Sequence, residues 1–551
     1  MKTNSGETSV LSGTTISPGM AEGQIYLYRD ILAATELPTN KEDYSVDAEI
    51  DRLDCATVKI TEDLLHLADR VEKEINLQLA GVFGAHSAIL NDSLLKEELR
   101  KEIIDNLVSA SSAVKSVFLR WENRFLLMES AIAREKGEDF RDISVRLRNA
   151  LANVTGHALE HIPSGCILVA QRLLPSETVF LVNQLTRSVL LEFGTVGSHA
   201  ALFTRQMNVP CIAGIKNILN VLPDNGYALV DARKGIITVN PNQKAKANFK
   251  KRIKQYGEAL KLAKSSSRSP SVTQDGIEIV VNANVGCIAD SRQALEFGAD
   301  GVGLYRLEQF YIGRSVPPSA EELLEEMRLT LSPFKAKPVC IRLLDIGSDK
   351  PMPFIGFMAE SNPALGRRGI RLMREYPELL NTQLQAILGL KKDFDVQILI
   401  PMVTTADDVT FVKQTLQSIC AKRGIRPPLL GAMIETPAAA LSASDIAPYV
   451  DFMSFGTNDL TQYTFAADRE NAAVAAYYND ISEVIFRLIG LVHDDVPMMP
   501  LSVCGELAGR EAAVSRLLAL GVRSLSVAAP LIPSIKESIR KSNLSDYVPS
   551  R

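Results

Sequence analysis

The sequence predicts an α/β chain of several domains: an α/β unit interrupted by an all-helical subdomain, then a C-terminal (β/α)8 TIM barrel. Three observations predict it. Between 160 and 242, short apolar runs (GCILVA, SVLLEF, PCIAGI, YALVDA, GIITVN) are bounded by turn residues. From 44 to 152, apolar residues recur at helical spacing with few Gly or Pro between them. From 276 onward, eight apolar strand candidates alternate with helical patterns, the signature of a barrel and about its usual length. At 551 residues the chain is too long for one hydrophobic core in any case.

Taken in order, residues 1–13 are polar and predict a flexible tail. The segment TTISPGMAEGQIYLYRD combines β-formers with the turn residues Pro18, Gly19 and Gly23, a strand pair. These strands could complete the sheet of the later apolar runs, so 14–43 and 153–243 form one α/β domain. Ile50, Leu53, Ile60, Leu64, Leu67, Val71 and Ile75 make the stripe of an amphipathic helix, which opens the helical subdomain 44–152. A helix and the Ser-rich KSSSRSPS give a linker at 244–271. The barrel occupies 272–551, with strands in IEIVVNAN, GVGLY, VCIRLL, VQILIPMV, LLGAMI, FMSFG, MPLSVC and SLSV. Little chain remains after the eighth for a full closing helix.

Composition narrows the function classes. A net charge of −5 argues against a nucleic-acid surface. Seven scattered cysteines without a CxxC pair predict reduced thiols and a cytoplasmic protein. No apolar run reaches the roughly 20 residues that span a bilayer, and the polar start has no secretory signal.

Reactive groups of such barrels collect at the C-terminal strand ends. Here those ends carry Arg306 and Glu308, then Arg342, Asp345, Asp349 and Lys350, then Glu435, then Asn458 and Asp459 followed by Arg469, and Cys504; Arg368 lies in the loop after the third strand. Several arginines converging on one mouth repel one another unless an anion binds there, and guanidinium forks suit carboxylate and phosphate oxygens. Glu435 and Asp459 are hard oxygen ligands suited to Mg²⁺, which would neutralise charge developing on a transferring phosphoryl group. Cys504 could exchange a proton with a substrate carbon. Of six histidines, His86 sits in a helical pattern and suits a packed or capping role. His199 differs, because Gly194, Gly197 and Ser198 precede it and an apolar run follows. Free backbone N–H groups at such a helix start can hold a phosphate, and imidazole is a competent phosphoryl acceptor.

With these residues in place, the chain resembles Enzyme I of the bacterial phosphotransferase system, the phosphoenolpyruvate–protein phosphotransferase family, along nearly its whole length. SPGMAEG, GVFGAHSAILND, FRDISVRL, LLPSET, IETPAAA, GTNDLTQYT and CGELAG carry the resemblance. It implies that Arg306, Arg342, Asn458 and Arg469 bind phosphoenolpyruvate with Arg368 assisting, and that Glu435 and Asp459 hold Mg²⁺. It further implies that His199, on a swivelling α/β domain, takes the phosphoryl group while Cys504 protonates the enolate to pyruvate. The phosphohistidine would then serve the phosphocarrier protein HPr, docked on 44–152, and the barrel would form a homodimer. Departures fall at Thr195 and Gly197 beside the histidine, at Arg172 and Leu174 upstream, at Leu307, and at Arg510, where the family carries Asp. The chain also ends before a further helical stretch of the family. Two other readings are a weakened regulatory paralogue that binds phosphoenolpyruvate or HPr, and a phosphoenolpyruvate synthase or dikinase, which would need an ATP-binding domain upstream.

Overall fold

In a computed structural model of the full chain, the residues described are 8–28, 45–74, 77–126, 131–152, 159, 162–178, 186–194, 199–207, 209–311, 314, 316–347, 354–355, 360–469, 471 and 474–546. The chain divides into two compact units, Met1–Tyr256 and Gly257–Arg551.

The first unit is built on an eight-stranded sheet. Its strands are β1 (Ser9–Ser12), β2 (Thr14–Ser17), β3 (Met20–Tyr28), β4 (Ile167–Ala170), β5 (Ser188–Leu191), β6 (Cys211–Ala213), β7 (Tyr227–Asp231) and β8 (Ile236–Val239), in the order β1-β8-β7-β3-β4-β5-β6-β2. The central four, β3 to β6, run parallel. β4 and β5 are buried at every position, so they read as continuous apolar runs rather than alternating ones. The first 30 residues do supply strands to this sheet. Ser9–Ser12, which the sequence assigns to a flexible tail, instead forms an edge strand antiparallel to β8. At four residues, SVLS, it is too short a run to stand out, and as an edge strand it is held by backbone pairing to one neighbour.

The crossover from β3 to β4 carries the helical subdomain: Val46–Glu74, Leu77–Leu90, Ser93–Asn106, Ala110–Leu126 and Ala131–Leu151. Its core is continuous with one face of the sheet, joining Leu53, Leu64, Phe118 and Ile143 to Leu168, Val189 and Phe203. His86 is fully buried there, with Nε2 2.9 Å from Asp139 Oδ1, in keeping with a packed role. Trp121 stacks on Phe140 and donates to Glu98.

In the second unit, β10 (Glu278–Val285), β11 (Val302–Arg306), β12 (Pro338–Arg342), β13 (Asp395–Ile400), β14 (Leu429–Ile434), β15 (Phe452–Phe455), β16 (Leu501–Val503) and β17 (Val522–Val527) pair in parallel, and β17 returns to β10 to close the ring. The two-residue β9 (Ser271–Val272) lies antiparallel beside β10. All eight expected strands are present. Helix starts follow local chemistry, as where Ser319 and Glu322 cap each other at Ala320–Leu331. The eighth strand also has its helix, Ile532–Lys541. Ten residues suffice because this helix anchors through Lys536, fully buried, whose Nζ lies 2.7 Å from Asp300 Oδ1.

Replacing Lys536 by Met keeps the bulk and strands Asp300 without its cation. The barrel is expected to lose about 2–3 kcal/mol, below the usual cost of breaking a buried pair because Asp300 is partly solvated. Urea unfolding followed by circular dichroism tests this, with emission from Trp121, the single tryptophan, as an unchanged control in the first unit.

Candidate active site at the barrel mouth

Side chains on a strand alternate between its two faces, and the lumen-facing set builds the site in layers. Lower in the lumen, Leu304, Cys340, Leu399, Met433 and Cys504 pack together. Two residues further along the same strands, Leu304 gives way to Arg306, Cys340 to Arg342 and Met433 to Glu435, at the C-terminal rim. Asp345 follows β12, and Asn458 and Asp459 lie in the first turn of the helix Thr457–Phe465 after β15.

Three carboxylates converge at this rim. Asp345, Glu435 and Asp459 are buried, and one oxygen of each lies within 4.8 Å of the others. Glu435 is driven up to about 8 by its burial and by repulsion from Asp345 and Asp459. Asp459 stays below the ordinary carboxylate range: burial alone would raise it, and the neighbouring Arg368 and Arg469 overcome that. One carboxyl kept neutral by its neighbours marks a deficit of positive charge, and an all-oxygen donor set is the chemistry that Mg²⁺ takes. The residues therefore fit the ion. Asp345 is the member that the sequence named only as a strand-end residue and not as a ligand. The same strand-end rule that found Glu435 applies to it.

Backbone detail supports the cluster. Met402, just past β13, has φ +56°, a left-handed conformation that costs a side-chain-bearing residue about 1–2 kcal/mol. Its N–H donates to Glu435 Oε1 at 2.5 Å. Gly456 leaves room for the same carboxylate, since a Cβ there would lie 2.6 Å from Glu435 Oε2. Thr436, rather than Glu435, caps the following short helix, so the glutamate is not spent on capping.

The cations divide into two kinds. Arg368 is occupied: Nε and Nη2 donate to the two oxygens of Asp345 at 3.2 and 2.8 Å, and Nη1 donates to Asp459 Oδ1 at 3.0 Å and Tyr463 Oη at 2.9 Å. It thus pairs with two members of the acidic trio. Arg342 pairs with Glu308 at 2.9 Å and Asp345 at 3.1 Å, yet its buried Nε has no acceptor. Arg469 approaches Asp459 at 3.9 Å. Arg306 has no carboxylate within ion-pairing distance among the described residues, and its guanidinium is held below its usual range by lost hydration and then by Arg342 beside it. Asn458 Oδ1 accepts the Glu506 N–H at 2.8 Å, and the nearby Thr457 hydroxyl is buried without a hydrogen-bond partner among the described residues. Arg306, exposed at the strand end, the Arg342 Nε and the buried Thr457 hydroxyl together place donors at one rim whose chemistry suits an anion.

Cys504 directly follows β16 at 5% exposure, its thiol pushed up to about 11 by burial. At neutral pH it keeps its proton. Arg510, one of the departures, pairs with Asp480 at 3.1 Å and so has a structural use on the surface. Asp349 and Lys350 lie outside the described residues.

His199 opens the helix His199–Gln206, which connects β5 to the parallel β6. That position, at the C-terminal edge of a parallel sheet, is where open α/β sheets present groups to ligands. Its side chain, and Thr195 and Gly197 before it, lie outside the described residues. Leu174, near this region, is buried with its N–H on Glu177 Oε2 at 2.7 Å. Among the described residues no helix is long and apolar enough to cross a membrane.

Comparison with known proteins agrees with this geometry. Three family profiles match in succession: "PEP-utilising enzyme, N-terminal" over 12–136, "PEP-utilising enzyme, mobile domain" over 162–235 and "PEP-utilising enzyme, PEP-binding domain" over 261–544. Curated relatives named phosphoenolpyruvate-protein phosphotransferase include one from Geobacillus stearothermophilus, 33% identical over 543 residues, which covers 96% of this chain and 93% of its own. That of Mycoplasma pneumoniae is 33% identical, with 97% and 94% covered, and that of Priestia megaterium 31%, with 98% and 96% covered. Identity at this level along both chains places the protein: it belongs to the phosphoenolpyruvate-protein phosphotransferases, a family of enzymes.

Proposed function

We propose that the chain transfers the phosphoryl group of phosphoenolpyruvate to His199, releases pyruvate, and passes the group on to the phosphocarrier HPr, in the first step of sugar uptake by the phosphotransferase system. The observation that carries the reading is the meeting at one rim of Arg306, which has no ion-pair partner among the described residues, with a buried trio of carboxylates close enough to share one metal ion.

In this reading Arg306 and Arg342 grip the phosphate and carboxylate oxygens of the substrate, with Asn458 and Arg469 at its edge. Glu435 and Asp459, with Asp345 beside them, would hold Mg²⁺, which would supply stabilisation of negative charge on the phosphoryl and enolate oxygens. Arg368 keeps Asp345 and Asp459 ionised and oriented. A ring nitrogen of His199 attacks phosphorus, the bond to the enol oxygen breaks, and the electron pair stays with enolpyruvate. The Cys504 thiol then gives its proton to C3. The helical subdomain is the proposed docking face for HPr, the α/β domain the swivelling carrier, and the barrel the face of a cytoplasmic homodimer.

Phosphoenolpyruvate and Mg²⁺ should release pyruvate as a burst of about one per chain, with sustained turnover only when HPr is added. His199→Ala should show neither phase. A burst that survives His199→Ala, or that needs no divalent cation, would refute the reading.

A further inference from the structure

Cys504 is asked to give up a proton from a site that punishes the resulting anion. Its sulfur lies among Leu304, Cys340, Leu399 and Met433, where the thiolate has little water to stabilise it. Of the charged and titratable groups acting on it, Arg342 and Arg306 favour the thiolate, while Glu435 opposes it; Cys340 also lies within electrostatic reach. None of these makes a hydrogen bond to the sulfur.

Ser454 does. It stands on β15, next to β16, in the otherwise apolar run FMSF, and is 2% exposed. Its hydroxyl donates to Cys504 Sγ at 3.4 Å and makes no other hydrogen bond among the described residues. The thiol itself donates to the Phe455 carbonyl at 3.6 Å. The backbone behind the sulfur is also fixed, since Asn284 Nδ2 donates to the Cys504 carbonyl at 3.2 Å while Ser526 Oγ donates to Asn284 Oδ1 at 2.7 Å. A buried serine whose only donor is aimed at a buried thiol is costly to keep on packing grounds alone.

We propose that Ser454 is a positioning residue for Cys504, holding the sulfur toward the substrate carbon and stabilising the thiolate that remains after proton transfer. This rests on the function proposed above. In the step concerned, the S–H bond breaks and its pair stays on sulfur. The enol π pair forms the new C3–H bond, and the thiolate regains a proton from water once pyruvate leaves. The Ser454 hydroxyl donates to sulfur throughout, and its hydrogen bond strengthens as the sulfur becomes charged.

The reverse step can be watched alone. Pyruvate and Mg²⁺ are mixed with unphosphorylated protein in deuterated water, and loss of the methyl proton signal is followed by NMR. Ser454→Ala should slow this exchange by about 10- to 100-fold, the worth of a hydrogen bond to a charged group. Single-turnover phosphoryl uptake from phosphoenolpyruvate should hold its rate. Ser454→Thr, which keeps the hydroxyl, should restore most of the exchange. The inference is overturned if Ser454→Ala exchanges as fast as the parent, or if uptake falls in step with exchange, which would mark a general structural defect. If the parent and Cys504→Ala are equally unable to exchange, the role given to Cys504 fails, and the inference fails with it for that separate reason.

Discussion

Glu435→Gln is expected to cost at least ~10³-fold in phosphoryl transfer while making the metal-free barrel more stable at alkaline pH. The two effects have one origin. Glu435 is buried against Asp345 and Asp459, which push its carboxyl up to about 8. Its folded value is thus raised above the unfolded one, near 4.3 for a free glutamate. The stabilisation from holding it neutral is complete below that unfolded value and disappears as pH rises through about 8. Glutamine keeps the acceptor for the Met402 N–H but has no charge to lose. In chelator, the urea midpoint of the parent should fall between pH 5 and 9 while that of the variant stays nearly flat across the shared range. Mg²⁺ should rescue the parent at pH 8 and leave the variant unmoved, and binding near neutral pH should release protons, because the ligand must ionise. The activity loss reflects several kcal/mol of charge stabilisation supplied by a bound metal. A parent whose metal-free stability is level across this range would refute the electrostatic account of the trio.

Arg306→Met is expected to reduce kcat/KM for phosphoenolpyruvate by about 10²- to 10⁴-fold, the usual cost of removing a charged partner from a bound anion. Most fold-supporting arginines, when truncated, also destabilise by stranding a carboxylate. Arg306 has no such partner among the described residues and stands beside Arg342, so its removal should leave the melting temperature unchanged or raise it, as at sites where function opposes stability. Arg368→Met is the contrast, since it strands Asp345 and Asp459 and should lower both activity and melting temperature. Steady-state kinetics and thermal melts on the two variants separate the roles. Equal destabilisation by both would contradict the division of cations drawn above.

Much of this was legible in the residues because barrels obey simple positional rules. Eight apolar runs located eight strands, and reading the residue at each strand end found Arg306, Arg342, Glu435 and Cys504. The parts that were not legible depend on contacts between distant segments. Asp345 reads as a strand-end acid, but its place beside Glu435 and Asp459 shows only when β12 and β14 are brought together. The pairing of Arg368 with both Asp345 and Asp459 joins segments far apart in the chain. Tyr463 and Ser454 sit in patterns of ordinary helix and strand, and only the closed ring shows what their hydroxyls face. Met402 has a left-handed backbone that nothing in VQILIPMV announces. Ser9–Ser12 is only four residues long, too short for its Val10 and Leu11 to mark a strand against the polar residues before it.

The central claim is that the phosphoryl group of phosphoenolpyruvate comes to rest on His199. It is tested most directly by mapping the modified residue with tandem mass spectrometry under alkaline handling, after a brief incubation with phosphoenolpyruvate and Mg²⁺. An acid-labile phosphate on His199, absent from the His199→Ala protein and sharply reduced in the Glu435→Gln and Arg306→Met proteins, is the predicted result. Phosphate found on another residue, or taken up undiminished by the His199→Ala protein, would contradict it.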